Sequence, residues 1–295
     1  MRILLTGKNG QLGLCFQDVT YDSDHQLFAY DSSELDITNV DKMREILEDV
    51  SPDIIVNAAA YTAVDKAEDE SNLAYSVNEL GPFLLAGFAA KLNIPLIHIS
   101  TDYVFDGKAV DPYSPQDMAN PKNIYGASKY SGELALKSVL NKYIILRTSW
   151  VFSEYGNNFL MKILRLANER KTISVVADQY GCPTYAGDLA EAILKLCDSY
   201  DKLKSLRWGV FHYCGIGTTS WHGFARTICT KAADYQLITN RPKLIAVGSD
   251  FYTMKAKRPE FSVLDTSKLC DIDIKPKSWI KSIDKVIYKI KEMSV

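Results

Sequence analysis

Three side chains near the middle of this 295-residue sequence have the types and spacing needed to reduce a carbonyl group. Tyr125 and Lys129 are four residues apart, so on a helix they lie one turn apart on the same face. A lysine ammonium beside a phenol stabilises the phenolate and lowers the tyrosine pKa from its usual value of about 10. Such a tyrosine can donate a proton to a carbonyl oxygen near neutral pH. The hydroxyl of Thr101 can hold the same oxygen, so the three residues predict carbonyl reduction.

A Tyr-x-x-x-Lys pair is weak evidence by itself, because the sequence contains 17 tyrosines and many lysines. A second pair, Tyr200 and Lys204, lies in a polar stretch, and we interpret it as a solvated pair without chemistry. Tyr125 differs from Tyr200 in its context, because it occurs together with Thr101. Thr101 follows an apolar run over residues 95–99 that is typical of a buried strand.

The composition restricts the class of protein. The chain is 47% hydrophobic with a net charge of −2 and has no basic block, so we expect no nucleic-acid partner and no membrane partner. Apolar runs stay short of the roughly 20 residues that span a bilayer, and the N-terminus lacks a signal-peptide pattern. The six cysteines form no Cys-x-x-Cys pair, so the sequence predicts neither a metal site nor a disulfide framework. We expect a cytoplasmic protein.

Short apolar runs alternate with helical patterns through the first half of the chain. The predicted strands cover residues 2–5, 26–30, 53–56, 95–99 and 143–146, and the predicted helices cover 11–19, 40–49, 73–92 and 128–140. This alternation is typical of right-handed crossovers and predicts an α/β fold with a doubly wound parallel sheet of the Rossmann type. Such a sheet binds ligands beyond the carboxyl ends of its strands.

From Trp150 onward the pattern becomes less regular. Helices are predicted over residues 158–169, 186–199, 221–233 and 278–293, and the segments 174–176 and 210–214 are expected to return as strands to the main sheet. The sequence therefore predicts a dinucleotide-binding domain over residues 1–150, with returning elements in about 174–214. Residues 151–295 are expected to form mainly a smaller, C-terminal substrate-binding lobe.

A glycine-rich segment lies between the first predicted strand and the first predicted helix. Gly7, Gly10 and Gly13 have the spacing Gly-x-x-Gly-x-x-Gly. Glycines let a backbone turn tightly and approach a pyrophosphate, and a helix N-terminus presents unpaired amides and the positive end of its dipole. An ordinary tight turn is the alternative. The flanking strand and helix favour a dinucleotide site.

An acidic residue stands where a dinucleotide fold places one. Asp31 follows Gly13 by 18 residues, at the end of the second predicted strand. A carboxylate there can accept both hydroxyls of an adenosine ribose and repels a 2′-phosphate. No arginine occurs between Arg2 and Arg44, so the residues alone favour NADH. The alternative is that Asp31 only shapes a turn.

Two further segments fit the same ligand. Asp36 and Ile37 suit an adenine contact, although Asp36 could equally be a helix N-cap. Residues 57–62 end the third predicted strand with mostly small side chains, which allow close approach of a flat ligand or simply close packing.

Taken together, these residues resemble the extended short-chain dehydrogenase/reductase family, and the later motifs resemble its sugar-nucleotide reductases. The motifs occur in family order over most of the chain, at residues 7–13, 57–68, 100–107, 125–129, 147–151, 156–159, 178–184 and 258–259. The last four are specific to the sugar-nucleotide reductases.

The resemblance implies NAD(P)H-dependent reduction of the C4 carbonyl of dTDP-4-dehydro-β-L-rhamnose to dTDP-L-rhamnose. Tyr125 would protonate the C4 oxygen, Lys129 would lower the Tyr125 pKa and bind the nicotinamide ribose, and Thr101 would hold the carbonyl. The implied cofactor residues, besides Tyr125 and Lys129, are Gly7, Gly10, Gln11, Leu12, Gly13, Asp31, Asp36, Ile37, Ala60, Tyr61, Thr62 and Ile99. The implied residues for the dTDP-sugar are Thr101, Asp102, Trp150, Asn158 and Arg258. Family members often accept both coenzymes, so NADH or NADPH is expected.

Two other functions fit the same sequence. The chain could reduce a different dTDP-4-keto-6-deoxy sugar, or it could be a non-catalytic, dinucleotide-binding subunit like the regulatory subunit of methionine adenosyltransferase. Loss of the catalytic residues would favour the second, and all three are present. Enteric relatives bind a divalent metal at a dimer interface through an acid soon after the third glycine, where this chain has Leu14 and Cys15. We therefore predict no metal, and either a monomer or a homodimer.

Overall fold

The computed structural model describes residues 1–293. Its strands are β1 (Arg2–Thr6), β2 (Gln26–Tyr30), β3 (Ile54–Asn57), β4 (Leu96–Thr101), β5 (Tyr143–Thr148), β6 (Val151–Phe152), β7 (Thr172–Val176), β8 (Tyr180–Gly181), β9 (Thr184–Tyr185), β10 (Gly209–His212), β11 (Thr219–Ser220) and β12 (Lys243–Val247). Its α-helices are α1 (Gln11–Thr20), α2 (Val40–Val50), α3 (Val64–Ala67), α4 (Ser71–Tyr75), α5 (Gly81–Leu92), α6 (Ile124–Val139), α7 (Phe159–Glu169), α8 (Ala186–Leu203), α9 (Trp221–Asp234) and α10 (Trp279–Met293).

A six-stranded parallel sheet forms the centre of the molecule, in the order β2-β1-β3-β4-β5-β10. The chain moves outward from β1 to β2 and then crosses to β3 on the other side of β1. The strand order therefore reverses between β1 and β3, which is where open α/β sheets leave a crevice at the carboxyl ends of their strands. The predicted doubly wound α/β class is confirmed.

Both faces of the sheet are covered, which explains why its strands are almost continuously apolar. Ile3 and Leu5 of β1 pack in one core cluster with residues of α1 and α8. Leu4 points to the opposite face and packs with residues of α2, α5 and α6. This alternation is the two-residue period of an extended strand.

The second half of the chain follows the prediction only in part. Strand β10 joins the main sheet beside β5, as expected for residues 210–214. The expectation that residues 174–176 return to that sheet is wrong, because β7 pairs with β12 in a separate two-stranded ribbon. Strand β12 was not predicted from its five residues, which are mostly half-exposed or exposed and lack a clear pattern.

The predicted helix over residues 73–92 is interrupted. A π-helical turn, Ser76–Leu80, separates α4 from α5, and Pro82 follows within the first turn of α5. The wide turn directs the buried side chain of Asn78 toward residue 61: the Asn78 amide accepts from the Tyr61 N–H at 2.9 Å and donates to the Tyr61 carbonyl at 3.1 Å. The interruption therefore fixes the segment that follows β3.

Helix α6 begins four residues earlier than predicted, because Asn123 caps it. The Asn123 side chain accepts from the Gly126 N–H at 2.7 Å. Tyr125 and Lys129 consequently both lie on helical backbone, as their spacing requires.

A buried ion pair fixes α6 against the sheet. Arg147 of β5 donates from Nε and Nη2 to the two oxygens of Glu133, at 2.8 and 2.7 Å. The Ser100 hydroxyl of β4 donates to Glu133 Oε1 at 2.6 Å. Glu133 is fully buried and Arg147 nearly so. Paired donors of this kind offset the cost of burying a carboxylate.

Close packing of α6 also predicts the effect of a mutation. A Cβ at Gly132 would lie 1.9 Å from the Asn78 carbonyl oxygen, whereas a Cβ at Gly87 of α5 meets nothing within 4 Å. We expect Gly132→Ala to lower the free energy of unfolding by about 1–3 kcal/mol through overpacking. The control Gly87→Ala should raise it by about 0.5–1 kcal/mol through helix propensity. Urea unfolding monitored by circular dichroism measures the stability of both variants. Equal stability would contradict the close packing of Gly132 against Asn78.

Candidate active site

A cavity of about 1150 Å³ opens at the carboxyl ends of β1, β3, β4 and β5 and extends along α7 and β7. Residues from both halves of the chain line it. Of the residues that the sequence and the resemblance indicate for cofactor, substrate and catalysis, all except Tyr61 and Asn158 line this one cavity. This volume is slightly above the range of about 300–1,000 Å³ that is usual for ligand pockets.

The glycine segment forms a tight cradle at one end of the cavity. Gly7 has a φ of +77°, and a Cβ there would lie 2.8 Å from the backbone of Ala58. A Cβ at Gly13 would lie 2.2 Å from the Gly7 carbonyl oxygen. The N-cap of α1 is Gly10, so the helix has no side-chain cap, and its first turn has no acidic residue. Its first amides are therefore open to an anion, and the residues fit a pyrophosphate.

Asp31 lines the cavity and also shapes a turn, so both interpretations of the sequence apply. Its Oδ1 accepts from the N–H of Ser33 at 2.9 Å and from the Ser33 hydroxyl at 2.6 Å. Its Oδ2 accepts from the Asn9 amide at 2.8 Å. The Ser33 hydroxyl, above all, holds the pKa of Asp31 below its usual value. A charged carboxylate thus stands where an adenosine ribose would bind.

A cation beside Asp31 was missed by the sequence analysis, which considered only arginines. Lys8 Nζ lies 2.5 Å from Glu34 Oε2 and 3.9 Å from Asp31 Oδ2. Lys8 belongs to the glycine segment itself, so its position in that motif was the available signal. A lysine at this place can pair with a 2′-phosphate, which the Asp31 carboxylate repels.

Most of the remaining coenzyme candidates line the cavity. Asp36 accepts from the N–H and the hydroxyl of Thr38, and Asn39 caps α2, so the alternative that Asp36 is that N-cap is wrong. Ile37, Ala60, Thr62 and Ile99 line the cavity together with Asp36.

Tyr61 does not line the cavity, and its hydroxyl donates to Glu70 at 2.5 Å. The expectation that Tyr61 contacts the cofactor is therefore not supported by its position.

The three reactive side chains meet where β4 ends. Thr101 is the last residue of β4, and Tyr125 lies in the first turn of α6. Burial raises the pKa of Tyr125 to about 12, and its hydrogen bond with the Thr101 hydroxyl opposes this rise. Desolvation of the phenolate has the largest effect on the Tyr125 pKa, and the expectation that Lys129 lowers this pKa stays a prediction.

Lys129 is almost completely enclosed and is held from the strand side. Its Nζ donates to the Ile99 carbonyl at 2.7 Å and lies 3.4 Å from His98 Nε2. Burial lowers the pKa of Lys129 to about 8, although Glu133 raises it. The amine therefore exchanges protons much closer to neutral pH than an exposed lysine does.

Trp150 and Asp102 also line the cavity. Trp150 has a φ of +49°, and its ring stacks on Trp221 with centroids 3.6 Å apart and planes 7° apart. Gly181 lies close to the same indole, and a Cβ there would come within 2.6 Å of Trp150 Cε2. Asp102 is buried, and burial raises its pKa to about 6. The Trp150 interpretation as a pocket residue is consistent with this position.

Two residues near Trp150 were missed. Trp221 Nε1 donates to Gln179 Oε1 at 3.2 Å, and Gln179 Nε2 donates to the Ser249 hydroxyl at 2.9 Å. All three residues line the cavity. Gln179 belongs to the motif at residues 178–184, which offered a signal, whereas nothing in the sequence distinguishes Trp221 from a core residue.

The two weaker substrate candidates have different outcomes. Arg258 lines the cavity, and its Nη1 and Nη2 donate to the two oxygens of Asp65 at 3.2 and 2.8 Å. Asn158 does not line the cavity and caps α7 instead: it accepts from the Met161 N–H at 3.1 Å and donates to the carbonyls of Ser153 and Tyr155. These bonds account for Asn158 without a substrate, so we do not retain it.

The second Tyr-x-x-x-Lys pair lies elsewhere. Tyr200 is at the end of α8, and Lys204, which follows that helix, pairs with Asp201 at 2.7 Å. Neither residue lines the cavity.

Among residues 1–293, no group of three or more His, Cys, Asp or Glu side chains could hold a metal ion. In the same residues, no helix is long and apolar enough to span a bilayer.

Comparison with known proteins agrees with this geometry. The family model described as "RmlD substrate binding domain" matches residues 1–292. A dTDP-4-dehydrorhamnose reductase of Aggregatibacter actinomycetemcomitans is 41% identical over 97% of this chain and 98% of its own. The chain belongs to the dTDP-4-dehydrorhamnose reductase family.

Solved structures of this family have the same fold. The dTDP-4-dehydrorhamnose reductase of Clostridium acetobutylicum superposes with a TM-score of 0.90 at 35% identity, over 99% of this chain and 100% of that one. The reductase of Bacillus anthracis, solved in complex with NADP, also gives 0.90, at 37% identity over 98% and 99% of the two chains. Family membership confirms that the chain is an NAD(P)H-dependent reductase.

The charges around Asp31 predict a shift in coenzyme selectivity. In Asp31→Asn the repulsion of a 2′-phosphate is lost while Lys8 remains, so the ratio of the dissociation constants for NADH and NADPH should shift about tenfold toward NADPH. Titration calorimetry with each coenzyme measures the ratio. The control Asp41→Asn removes an exposed carboxylate on α2 and should leave it unchanged. An unchanged ratio in Asp31→Asn would show that Asp31 does not set selectivity.

Proposed function

We propose that this protein reduces the C4 carbonyl of dTDP-4-dehydro-β-L-rhamnose to dTDP-L-rhamnose with NADH or NADPH. One observation carries the proposal: Thr101, Tyr125 and Lys129 line one cavity together with the glycine segment, Trp150 and Arg258. Membership of the dTDP-4-dehydrorhamnose reductase family supports the choice of substrate.

The residues at the glycine cradle fit a nicotinamide dinucleotide. The amides at the start of α1 would hold the pyrophosphate, Asp31 the adenosine ribose, and Lys129 the nicotinamide ribose. When bound, the reduced nicotinamide supplies the hydride that the C4 carbon receives. Lys129 can donate to a ribose hydroxyl while Nζ keeps its bond to the Ile99 carbonyl, since an amine has more than one N–H.

Tyr125 acts as the acid. Because burial raises its pKa to about 12, the phenol is protonated at neutral pH. A developing alkoxide is a stronger base than a phenolate, so the proton moves from the Tyr125 hydroxyl to the C4 oxygen as the alkoxide forms. The Thr101 hydroxyl can donate to the same oxygen and stabilise its charge.

Other residues of the cavity offer contacts for a sugar nucleotide. The buried Asp102 carboxyl can accept from a sugar hydroxyl, and the Trp150 indole, held in place by stacking on Trp221, gives a rigid apolar wall. Arg258 can hold the diphosphate with two parallel N–H bonds, the geometry in which it now holds Asp65. Asp65 would then exchange its partner for solvent.

The domain assignment completes the proposal. Residues 1–150 would form the dinucleotide-binding domain, with β10 as a returning strand, and residues 151–295 would form mainly the sugar-nucleotide-binding lobe. The enzyme would work in the cytoplasm as a monomer or a homodimer.

Removal of the acid tests the reaction. In Tyr125→Phe the C4 oxygen loses its proton donor, so kcat should fall by about 100-fold to 10,000-fold. The affinity for NADPH should change little, since the ring is kept. Turnover is followed by the loss of NADPH absorbance with dTDP-4-dehydro-β-L-rhamnose, and NMR of the product identifies its stereochemistry. Undiminished kcat in the variant would remove Tyr125 from the reaction, and a product other than dTDP-L-rhamnose would contradict the proposed substrate.

Arg258 tests the substrate side separately. In Arg258→Gln the diphosphate loses a charge-assisted pair of hydrogen bonds, so the KM for the dTDP-sugar should rise roughly tenfold to a hundredfold. The KM for NADPH should stay within twofold. The control is Lys255→Gln, which should change neither constant. It removes an exposed cation from the segment that carries Arg258, where Lys255 pairs with Asp69. An equal rise of KM in both variants would indicate a general effect of charge rather than a contact.

A further inference from the structure

A chain of buried polar side chains runs through the sheet behind Lys129. The Thr6 hydroxyl donates to Asn57 Oδ1 at 2.7 Å, and Asn57 Nδ2 lies 3.0 Å from His98 Nδ1. His98 Nε2 in turn lies 3.4 Å from Lys129 Nζ. Thr6, Asn57, His98 and Lys129 are each at most 2% exposed. Such a chain has few alternative hydrogen-bond arrangements, because water does not reach it.

The orientation of Asn57 is set by a backbone group. The N–H of Ala59 lies 3.1 Å from Asn57 Oδ1 and can only donate. The oxygen of the amide must therefore face Ala59 and Thr6, and the amino group must face His98. Asn57 consequently donates to His98 Nδ1.

This donation fixes the tautomer of His98. A ring nitrogen that accepts a hydrogen bond carries no proton, so in the neutral imidazole the proton is on Nε2. Burial, followed by the charge of Lys129, holds the pKa of His98 well below its usual value, and the ring is neutral. The Nε2–H therefore faces the Lys129 amine.

An ammonium group cannot accept this hydrogen bond, because it has no lone pair, whereas a neutral amine can. The Ile99 carbonyl accepts from Lys129 in either state, but more strongly from the ammonium, so this bond opposes the effect of His98. We propose that His98 is a positioning residue whose Nε2–H stabilises the neutral form of the Lys129 amine, with Asn57 holding the imidazole in the required tautomer.

The other charged and titratable groups around Lys129 do not override His98. Glu133 of α6 favours the ammonium, but Arg147 of β5 holds both of its oxygens, and Lys137 lies 3.6 Å from one of them. Tyr125, one turn away on α6, is protonated at neutral pH. Burial acts in the same direction as His98 and lowers the pKa of Lys129 to about 8.

The consequence for turnover rests on the proposed function. After Tyr125 has given its proton to the C4 oxygen, the phenolate must be protonated again. An N–H bond of the Lys129 ammonium breaks and the O–H bond of Tyr125 forms again, either directly or through an intervening hydroxyl. The neutral amine that remains accepts from His98 Nε2–H, and bulk water later returns a proton to it. Each turnover therefore consumes one proton from solvent, and charge and protons balance.

Two replacements of His98 separate its two nitrogens. In His98→Asn the side-chain oxygen can take the place of Nδ1 and accept from Asn57, but nothing reaches Lys129. In His98→Gln the side-chain amide can take the place of Nε2–H and donate to Lys129. The ligand-free protein, labelled with ¹³C at lysine Cε, is titrated by NMR, and the Lys129 signal is assigned as the one missing in Lys129→Met.

We expect a titration midpoint near 8 for Lys129 in the unaltered protein. His98→Asn should raise this midpoint by about one pH unit, a tenfold change in the acid dissociation constant, and His98→Gln should leave it within about 0.3 units. Thermal unfolding confirms that each variant is folded. The midpoint in the pH profile of kcat should follow the same order, with the highest value in His98→Asn.

The proposal is overturned if the Lys129 midpoint in His98→Asn equals that of the unaltered protein, or if both variants raise it equally. Should His98→Asn fail to fold, Asn57→Asp provides the second test. Its carboxylate accepts from Nδ1–H, which leaves the lone pair of Nε2 facing Lys129, so the midpoint should again rise; an unchanged midpoint overturns the proposal. Because the titration needs no substrate, it gives the same answer whether or not the proposed reaction is correct.

Discussion

The buried carboxylate of Glu133 is the group on which the arrangement of the reactive residues depends. Tyr125, Lys129 and Glu133 are spaced by four, so they form one stripe along the face of α6 that meets the sheet. Glu133 ends this stripe and is bonded to Ser100 of β4 and Arg147 of β5. A carboxylate enclosed in this way is stable only with its donors in place. The ion pair therefore fixes both the rotation of α6 and its position along the strands, and with them the meeting of the Tyr125 and Thr101 hydroxyls.

Burial then determines the protonation of the site. The same enclosure raises the pKa of Tyr125 and lowers that of Lys129, because in each case it disfavours the charged form. The phenol is thereby kept ready to donate, and the amine can lose a proton near neutral pH. The sequence interpretation assumed that Lys129 would act first on the Tyr125 pKa. In this structure Lys129 is directed instead to the strand, toward Ile99 and His98.

Those features that depend on local spacing could be predicted from the sequence. The strand–glycine–helix segment at Gly7–Gly13 and the pair Tyr125 and Lys129 follow from the periods of strand and helix, and the structure brings them to one cavity. Positions that depend on tertiary contacts could not be predicted. The neighbours of Tyr61 in the sequence line the cavity, but Tyr61 itself does not. Its backbone is bonded to Asn78 of the π-helical turn, and its hydroxyl is bonded to Glu70. Trp221 is distant in sequence from every motif, and only tertiary packing brings it to the site, where it stacks on Trp150.

The most direct test of this account is a crystal structure of the protein with NADP⁺ and dTDP-L-rhamnose. We expect the Tyr125 and Thr101 hydroxyls both to lie within hydrogen-bond distance, about 2.5–3.0 Å, of the C4 oxygen of the sugar. Glu133 should keep its bonds to Ser100 and Arg147 in that complex. A sugar whose C4 oxygen lies beyond the reach of Tyr125, while another acid contacts it, would contradict the assignment of Tyr125 as the proton donor.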